Sequence, residues 1–207
     1  MIQIEHLNKN FGKKRVLHDV NISFCEGQIH GIVGRNGSGK SVLFKCICGL
    51  LPFEDGKILI DGVYSDSIHP PIGKIGALID SPGFLEYLSA PSNLKLLCDL
   101  SHTPYSRISE SLRMVGLEGV EKPVRTFSLG MRQRLSIAQS ILEDYPILIL
   151  DEPMNSLDEC AVALVKKLIL ESKAQGKTIL MASHVAEDVN ELCDTITHMQ
   201  DGKILAR

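Results

Sequence analysis

Apolar and polar residues recur with two different periods along this chain, and the period predicts the secondary structure. Near the N-terminus apolar side chains occupy every second position, as at Val20, Ile22 and Phe24, which is the spacing of a half-buried strand. Residues 41–51 carry apolar side chains three and four positions apart, which is helical spacing, and Pro52 ends the pattern. These patterns predict strands at 2–7, 16–24, 28–33, 57–60, 75–79, 147–150, 178–182, 196–199 and 203–205. They predict helices at 41–51, 92–100, 106–115, 130–143, 159–175 and 185–192.

The order of these elements predicts the fold class. Strands that alternate with helices are typical of an α/β fold, in which a mostly parallel sheet is covered on both faces. From residue 82 onward the strand signal gives way to helices and prolines, which indicates an inserted helical subdomain. We predict one domain over 1–207, with a core at 1–81 and 136–207 that includes an N-terminal antiparallel β subdomain. The helical subdomain is expected at 82–135.

Composition narrows the class of protein. With 44% hydrophobic and 23% charged residues the chain is typical of a globular domain, and no apolar run approaches the ~18 residues needed to cross a bilayer. The N-terminus lacks the basic and apolar regions of a secretory signal. A net charge of −3 argues against a broad nucleic-acid or anionic-membrane surface. Six cysteines lack the paired spacing of zinc sites, so we expect reduced thiols in the core.

A glycine-rich segment after the third predicted strand has the spacing G-x-x-x-x-G-K-[ST] of a phosphate-binding loop. Its glycines let backbone N–H groups approach a polyphosphate, and the N-terminus of the following helix adds positive potential. Lys40 would bring a positive charge to the outer phosphates, and the Ser41 hydroxyl could bind Mg²⁺. The alternative is a glycine-rich turn with a surface lysine. The predicted nucleotide contacts are Gly34, Arg35, Asn36, Gly37, Ser38, Gly39, Lys40, Ser41 and Val42.

Two carboxylates follow the buried strand predicted at 147–150. Asp151 and Glu152 lie where a parallel strand ends, which is where ligands bind in such sheets. Asp151 is suited to hold the water shell of Mg²⁺, and Glu152 could orient and deprotonate an attacking water. The alternative is that the pair only caps the next helix.

With these motifs the chain resembles the nucleotide-binding subunit of ATP-binding cassette (ABC) transporters over residues 2–205. Residues 127–134 resemble the signature motif that separates these ATPases from other P-loop proteins. The resemblance implies a P-loop NTPase core of the RecA-like type, with ATP and Mg²⁺ as cofactors. It also implies that ATP is bound between two ATPase subunits in a head-to-tail homodimer or heterodimer.

The resemblance implies that Ser128 and Gly130 face the γ-phosphate that the other subunit holds. Leu129 stands where the family usually has a glycine, and Met131 stands where it usually has a glutamine. Residues 155–158 resemble the loop that crosses the dimer interface.

Two single residues also match family positions. Phe11 matches the aromatic residue that stacks on adenine, and His184 matches the histidine that touches the γ-phosphate. The resemblance therefore implies that Lys40, Glu152 and His184 are catalytic.

One predicted metal ligand departs from the family pattern. Asp80 stands after the fifth predicted strand, where the family has a glutamine that meets Mg²⁺ and the attacking water. An acidic residue here, together with the Leu129 and Met131 of the signature, is similar to the ATPases of bacitracin and lantibiotic export or immunity. We therefore predict Ser41, Asp80 and Asp151 as metal ligands, and reduced but real hydrolysis because aspartate is shorter than the usual residue.

The resulting hypothesis is that the chain is an ATP-hydrolysing subunit that powers a separate membrane permease. The permease would export peptide antibiotics, drugs or similar compounds. Such a subunit would be cytoplasmic, on the inner face of the cell membrane, and would have no nucleic-acid partner. Three alternatives stay open on the sequence alone. They are a related ATPase acting on ribosomes or DNA, a small-molecule kinase, and a regulatory subunit that holds ATP without hydrolysing it.

Overall fold

The computed structural model describes residues 1–80 and 83–205. Its strands are β1 (Ile2–Phe11), β2 (Lys14–Phe24), β3 (Ile29–Val33), β4 (Asp55–Ile60), β5 (Val63–Tyr64), β6 (Ile75–Leu78), β7 (Ile147–Asp151), β8 (Thr178–Ser183), β9 (Thr195–Gln200) and β10 (Lys203–Ile204). Its helices are α1 (Lys40–Ile47), α2 (Ala90–Ser101), α3 (Ser106–Met114), α4 (Leu129–Ile141), α5 (Glu159–Ala174) and α6 (Ala186–Leu192), with a 3₁₀ turn at Val124–Thr126.

The strands form two sheets. The first is antiparallel with the order β2-β1-β4-β5, and the second has six strands in the order β10-β9-β3-β8-β7-β6. In the second sheet β9, β3, β8, β7 and β6 are parallel neighbours, and β10 pairs antiparallel with β9. The predicted α/β fold, with an antiparallel β subdomain and a helical segment between β6 and β7, is confirmed. The subdomain boundaries at 82 and 135 stay a prediction.

The six-stranded sheet is buried on both faces. In β8, Ile179 and Met181 belong to one buried cluster with α4 and α5, while Leu180 and Ala182 belong to a second cluster with α1 and the antiparallel sheet. Alternate side chains of a strand point to opposite faces, so the continuous apolar run of β8 fills both clusters. The sheet is therefore a rigid base for the loops that follow its strands.

Several boundaries differ from the prediction for local reasons. Helix α1 ends before the predicted residue 51 because Gly49 adopts a left-handed backbone with φ of +70°, a conformation that ends helices. Helix α2 begins earlier than predicted because Ser89 caps it by accepting a hydrogen bond from the Ser92 backbone N–H, and Pro91 fits the first turn. The strand β5 and the 3₁₀ turn are too short to show a period and were not predicted.

The cysteines only partly follow the prediction of a buried set. All six are free thiols, but Cys25 and Cys160 are exposed, so a core location is wrong for these two. Burial raises the pKa of Cys46, Cys48 and Cys193 to about 12, which keeps these thiols protonated. In the part of the chain that the structure describes, no helix combines the length and apolar character needed to span a membrane.

The topology brings three loops to one edge of the large sheet. Strands β3, β8 and β7 are parallel neighbours, so their carboxyl ends lie side by side. The segments that follow them are 34–39, 152–158 and 184–185. These are the segments in which the sequence places the phosphate loop, the acidic pair and His184.

Candidate active site

A cleft of about 800 Å³ lies at this edge of the sheet. It brings together the rim aromatic Phe11, most of the phosphate loop, the acidic pair and Asp80. Lys14 and Val16 of β2, together with Gln133 of α4, extend the lining beyond the predicted residues. The full lining is Phe11, Lys14, Val16, Asn36, Gly37, Ser38, Gly39, Lys40, Ser41, Val42, Asp80, Gln133, Asp151, Glu152, Asn155 and Ser156.

Two predicted nucleotide contacts hold the lysine of the loop. The Lys40 ammonium donates hydrogen bonds to the carbonyl oxygens of Gly34 at 2.8 Å and Arg35 at 3.5 Å, and the side chain is buried. Gly34 and Arg35 are absent from the lining of the cleft in the described residues. Gly34 also packs tightly, because an added Cβ would lie 2.3 Å from the carbonyl oxygen of Met199 in β9.

The remaining loop residues fit a bound phosphate group. Gly37 and Gly39 adopt positive φ values of 81° and 107°, a conformation that favours glycine. Helix α1 begins at Lys40 behind Gly39, which has no side chain to cap it, so its first N–H groups stay available for an anion. The Ser38 hydroxyl is buried and has no hydrogen-bond partner among the described residues. A phosphate oxygen at this loop would provide the missing acceptor.

The predicted metal ligands Ser41 and Asp151 are in direct contact. The Ser41 hydroxyl donates a hydrogen bond to Oδ2 of Asp151. Burial raises the pKa of Asp151, the charges of Glu152 and Asp80 add to this, and the Ser41 hydrogen bond and the Lys40 charge oppose it. A bound Mg²⁺ would favour the ionised carboxylate, and Mg²⁺ prefers oxygen ligands such as these. No cluster of three or more His, Cys, Asp or Glu side chains suited to a metal occurs in the described ranges, so phosphate and water oxygens would complete the shell.

Glu152 has one occupied and one unoccupied carboxylate oxygen. Its backbone is left-handed, with φ of +51°, and its N–H donates to the carbonyl of Ala182 in β8 at 2.9 Å. Oε2 lies 2.7 Å from Nδ1 of His184. Oε1 is buried, lies 3.9 Å from the Lys40 ammonium and has no hydrogen-bond partner within residues 1–80 and 83–205.

The third predicted metal ligand is engaged elsewhere. Oδ2 of Asp80 forms an ion pair at 2.5 Å with the ammonium of Lys45 in α1. Asp80 also has a positive φ of 56°, and its carboxylate lines the cleft that holds Ser41 and Asp151. The residues Ser81 and Pro82, which follow it in the motif, lie outside the described residues.

The signature residues lie in a different hollow. Ser128 and Gly130 line a depression of about 370 Å³ together with residues 156–158; it adjoins the nucleotide cleft at Ser156, but neither Ser128 nor Gly130 belongs to the lining of that cleft. The Ser128 hydroxyl caps α4 by accepting a hydrogen bond from the backbone N–H of Met131 at 3.2 Å. Ser128 and Gly130 therefore stay predicted nucleotide contacts that the cleft of this chain does not include among the described residues.

Sequence reasoning missed the contribution of Gln133. Its Nε2 donates hydrogen bonds to the carbonyl oxygens of Glu152 and Pro153, both at 3.1 Å. The available signal was its spacing from Gly130, because residues three apart share one face of a helix. An added Cβ on Gly130 would lie 2.8 Å from the carbonyl of Ser156, so this face of α4 packs against the loop that carries Glu152.

We expect Gln133→Ala to lower ATP turnover by about tenfold, because two hydrogen bonds that hold the Glu152 backbone in a strained conformation would be lost. The dissociation constant for ADP should change less than about twofold, since the phosphate loop is untouched. Steady-state turnover and calorimetric titration measure the two quantities. Gln139→Ala, on the same helix, is the matched control, and an equal loss in both variants would contradict the role of Gln133.

Comparison with known proteins agrees with this geometry. A family model described as ABC transporter matches residues 17–155. The lantibiotic transport ATP-binding protein SrtF of Streptococcus pyogenes is 36% identical over 206 residues, which are 99% of this chain and 89% of SrtF. The bacitracin transport ATP-binding protein BcrA of Enterococcus faecalis is 34% identical over 209 residues, covering 99% of this chain and 68% of BcrA. A solved ATP-binding subunit of an ABC transporter superposes with a TM-score of 0.89 at 26% identity, covering 100% of this chain and 88% of that one.

Proposed function

The chain belongs to the ABC transporter family as an ATP-binding and ATP-hydrolysing subunit, and on this premise we propose that it powers a separate membrane permease for the export of peptide antibiotics or similar compounds. The observation that carries the catalytic part is that Oε1 of Glu152 forms no hydrogen bond within the described residues and lies 3.9 Å from the Lys40 ammonium in the cleft. The names of SrtF and BcrA, which refer to lantibiotic and bacitracin transport, support the class of cargo. Family membership also excludes the small-molecule kinase.

The proposed hydrolysis assigns one task to each side chain. Lys40 holds the outer phosphates and reduces their repulsion of the incoming water. Oε1 of Glu152 accepts a proton from that water as the water oxygen bonds to the γ-phosphorus and the bond from this phosphorus to the bridging oxygen of the departing ADP breaks. His184 contacts Oε2 and so fixes the carboxylate plane. Mg²⁺, held by Ser41 and Asp151, would neutralise charge on the phosphate oxygens when bound.

The proposed assembly is a head-to-tail dimer of ATPase subunits on a permease. Its support is that Ser128 and Gly130 line a second hollow and are not among the described residues that line the nucleotide cleft of their own chain. A second copy or a related chain would bring these residues to the γ-phosphate. We place the dimer at the cytoplasmic face of the membrane, and the net charge of −3 favours no nucleic-acid partner.

An export assay tests the proposed cargo. The chain would be produced together with a candidate membrane permease in a host sensitive to bacitracin and lantibiotics. We expect the inhibitory concentration of at least one of these peptides to rise several-fold with the wild-type chain and not with Glu152→Gln. Unchanged sensitivity in cells whose purified complex hydrolyses ATP would contradict the proposed cargo while leaving the ATPase intact.

Substitution of Asp80 tests whether this residue limits the rate of ATP hydrolysis at the proposed Mg²⁺ site. Asp80→Gln should raise ATP turnover by about two- to fivefold, because glutamine cannot keep the ion pair with Lys45 and carries an oxygen ligand one methylene further into the cleft. Asp80→Asn removes the charge without adding length and separates the two effects. A slower glutamine variant would show that Asp80 is not a handicap.

A further inference from the structure

A buried lysine, Lys9, contacts the ring of Phe11, the aromatic residue at the rim of the cleft. Lys9 is only 6% exposed although it carries a full charge, and such lysines are rare unless they are paired. Lys9 and Phe11 are two positions apart at the end of β1, where the pairing with β2 is irregular between Lys9 and Asn10. The Lys9 ammonium lies over the Phe11 ring, 5.2 Å from its centroid, while the ring is half exposed and lines the cleft.

The lysine is held in place by a carboxylate from the loop after α1. Oε1 of Glu54 accepts a hydrogen bond from the Lys9 ammonium at 2.9 Å, and Oε2 accepts one from the backbone N–H of Asn10 at 2.7 Å. The Glu54 N–H donates to the carbonyl of Asn8 at 3.2 Å. The Lys9 hydrogen bond lowers the pKa of Glu54, so this carboxylate is ionised at neutral pH. The strand end that carries Phe11 is thus tied to the segment that follows the phosphate-loop helix.

We propose that Lys9, held by Glu54, is a positioning residue that fixes the Phe11 ring as a preformed platform for the base of the bound nucleotide. This inference rests on the proposed stacking role of Phe11 and adds the groups that orient it. Phe11 is the last residue of β1, directly before the turn at Gly12, and a half-exposed ring there would otherwise sample several rotamers. The attraction between the ammonium and the ring face favours one orientation, so less freedom is lost when a base stacks on it.

This arrangement predicts a selective effect on the base half of the ligand. The phosphates are bound by Lys40 and the N-terminus of α1, which Lys9 does not contact in the described structure. Loss of Lys9 should therefore weaken the binding of ADP and leave tripolyphosphate, which has no base, unaffected. A merely structural lysine would change both ligands alike.

A double-mutant cycle with Phe11 tests the inference. Calorimetric titration of the full chain with ADP and with tripolyphosphate would compare wild type, Lys9→Met, Phe11→Ala and the double variant. We expect Lys9→Met to weaken ADP binding by about three- to tenfold and to leave tripolyphosphate binding unchanged. In the Phe11→Ala background Lys9→Met should have no further effect on ADP, because a residue that acts through Phe11 has nothing left to position.

The outcomes separate this inference from the role of Phe11 itself. If Phe11→Ala binds ADP like the wild type, the stacking role fails and the inference falls with it. If Phe11→Ala weakens ADP binding but Lys9→Met does not, only the inference about Lys9 fails. It also fails if Lys9→Met weakens ADP binding by the same factor in the wild-type and the Phe11→Ala backgrounds. Glu54→Gln keeps one of the two acceptor oxygens and removes the charge that holds Lys9, so it repeats the test if Lys9→Met does not fold, with the same selective loss of ADP expected. Lys9→Arg keeps the cation and should restore binding.

Discussion

ATP turnover is expected to fall by about 10²- to 10⁴-fold in Glu152→Gln, while ATP binding is retained. The amide has nearly the same shape as the carboxylate, so Lys40 and the phosphate loop keep their positions. It cannot take a proton from water at the place where Oε1 now lies 3.9 Å from the Lys40 ammonium. Removal of a negative charge beside the outer phosphates also favours the state with ATP bound.

The same variant should convert the chain to a stable ATP-bound dimer. Gel filtration with ATP and Mg²⁺ should show a dimer for Glu152→Gln and mostly monomer without nucleotide. Glu159→Gln removes the same charge from an exposed position in the first turn of α5 and is the matched control. Monomer alone in the presence of ATP would refute the sandwich for this chain, and undiminished turnover would refute Glu152 as the base.

The parts of the site that could be predicted from the sequence are those formed by residues that are adjacent in the sequence. The phosphate loop and the acidic pair each occupy a short segment at the end of a buried strand, so the spacing and the apolar run before them were sufficient. The parallel register of β3, β8 and β7 then brings these segments together, as any sheet of this class would.

The parts that sequence reasoning missed depend on contacts between distant residues. Lys9 and Glu54 are 45 positions apart, and Gln133 reaches Glu152 across 19 positions. No local period marks such pairs, because they arise from the packing of one element against another. Asp80 was predicted near Mg²⁺ because it matches the family position of a metal-contacting glutamine, but its ion pair with Lys45 on α1 is visible only in the folded structure.

Two inactive variants are expected to restore each other's activity when they are mixed. In a head-to-tail homodimer each site takes Lys40 from one chain and Ser128 from the other. Lys40→Ala removes the ammonium that contacts the phosphates, and Ser128→Arg places a bulky side chain at the start of α4; each should lower turnover by about 100-fold. In the mixed dimer one site carries both defects, while the other carries neither.

The expected recovery follows from counting the sites. Random pairing of equal amounts makes half of the dimers mixed, and one of their two sites is intact, so turnover should reach about a quarter of the wild-type value if the sites act independently. Loss of the cap hydrogen bond at Ser128 costs about 1 kcal/mol of helix stability, which circular dichroism of each variant alone would measure. Mixing Lys40→Ala with the double variant Lys40→Ala/Ser128→Arg, in which no pairing yields an intact site, controls for nonspecific stabilisation by a second chain and should not restore turnover. Turnover that stays at the level of the separate variants would show that Ser128 serves the cleft of its own chain, against the 370 Å³ hollow in which the fold places it.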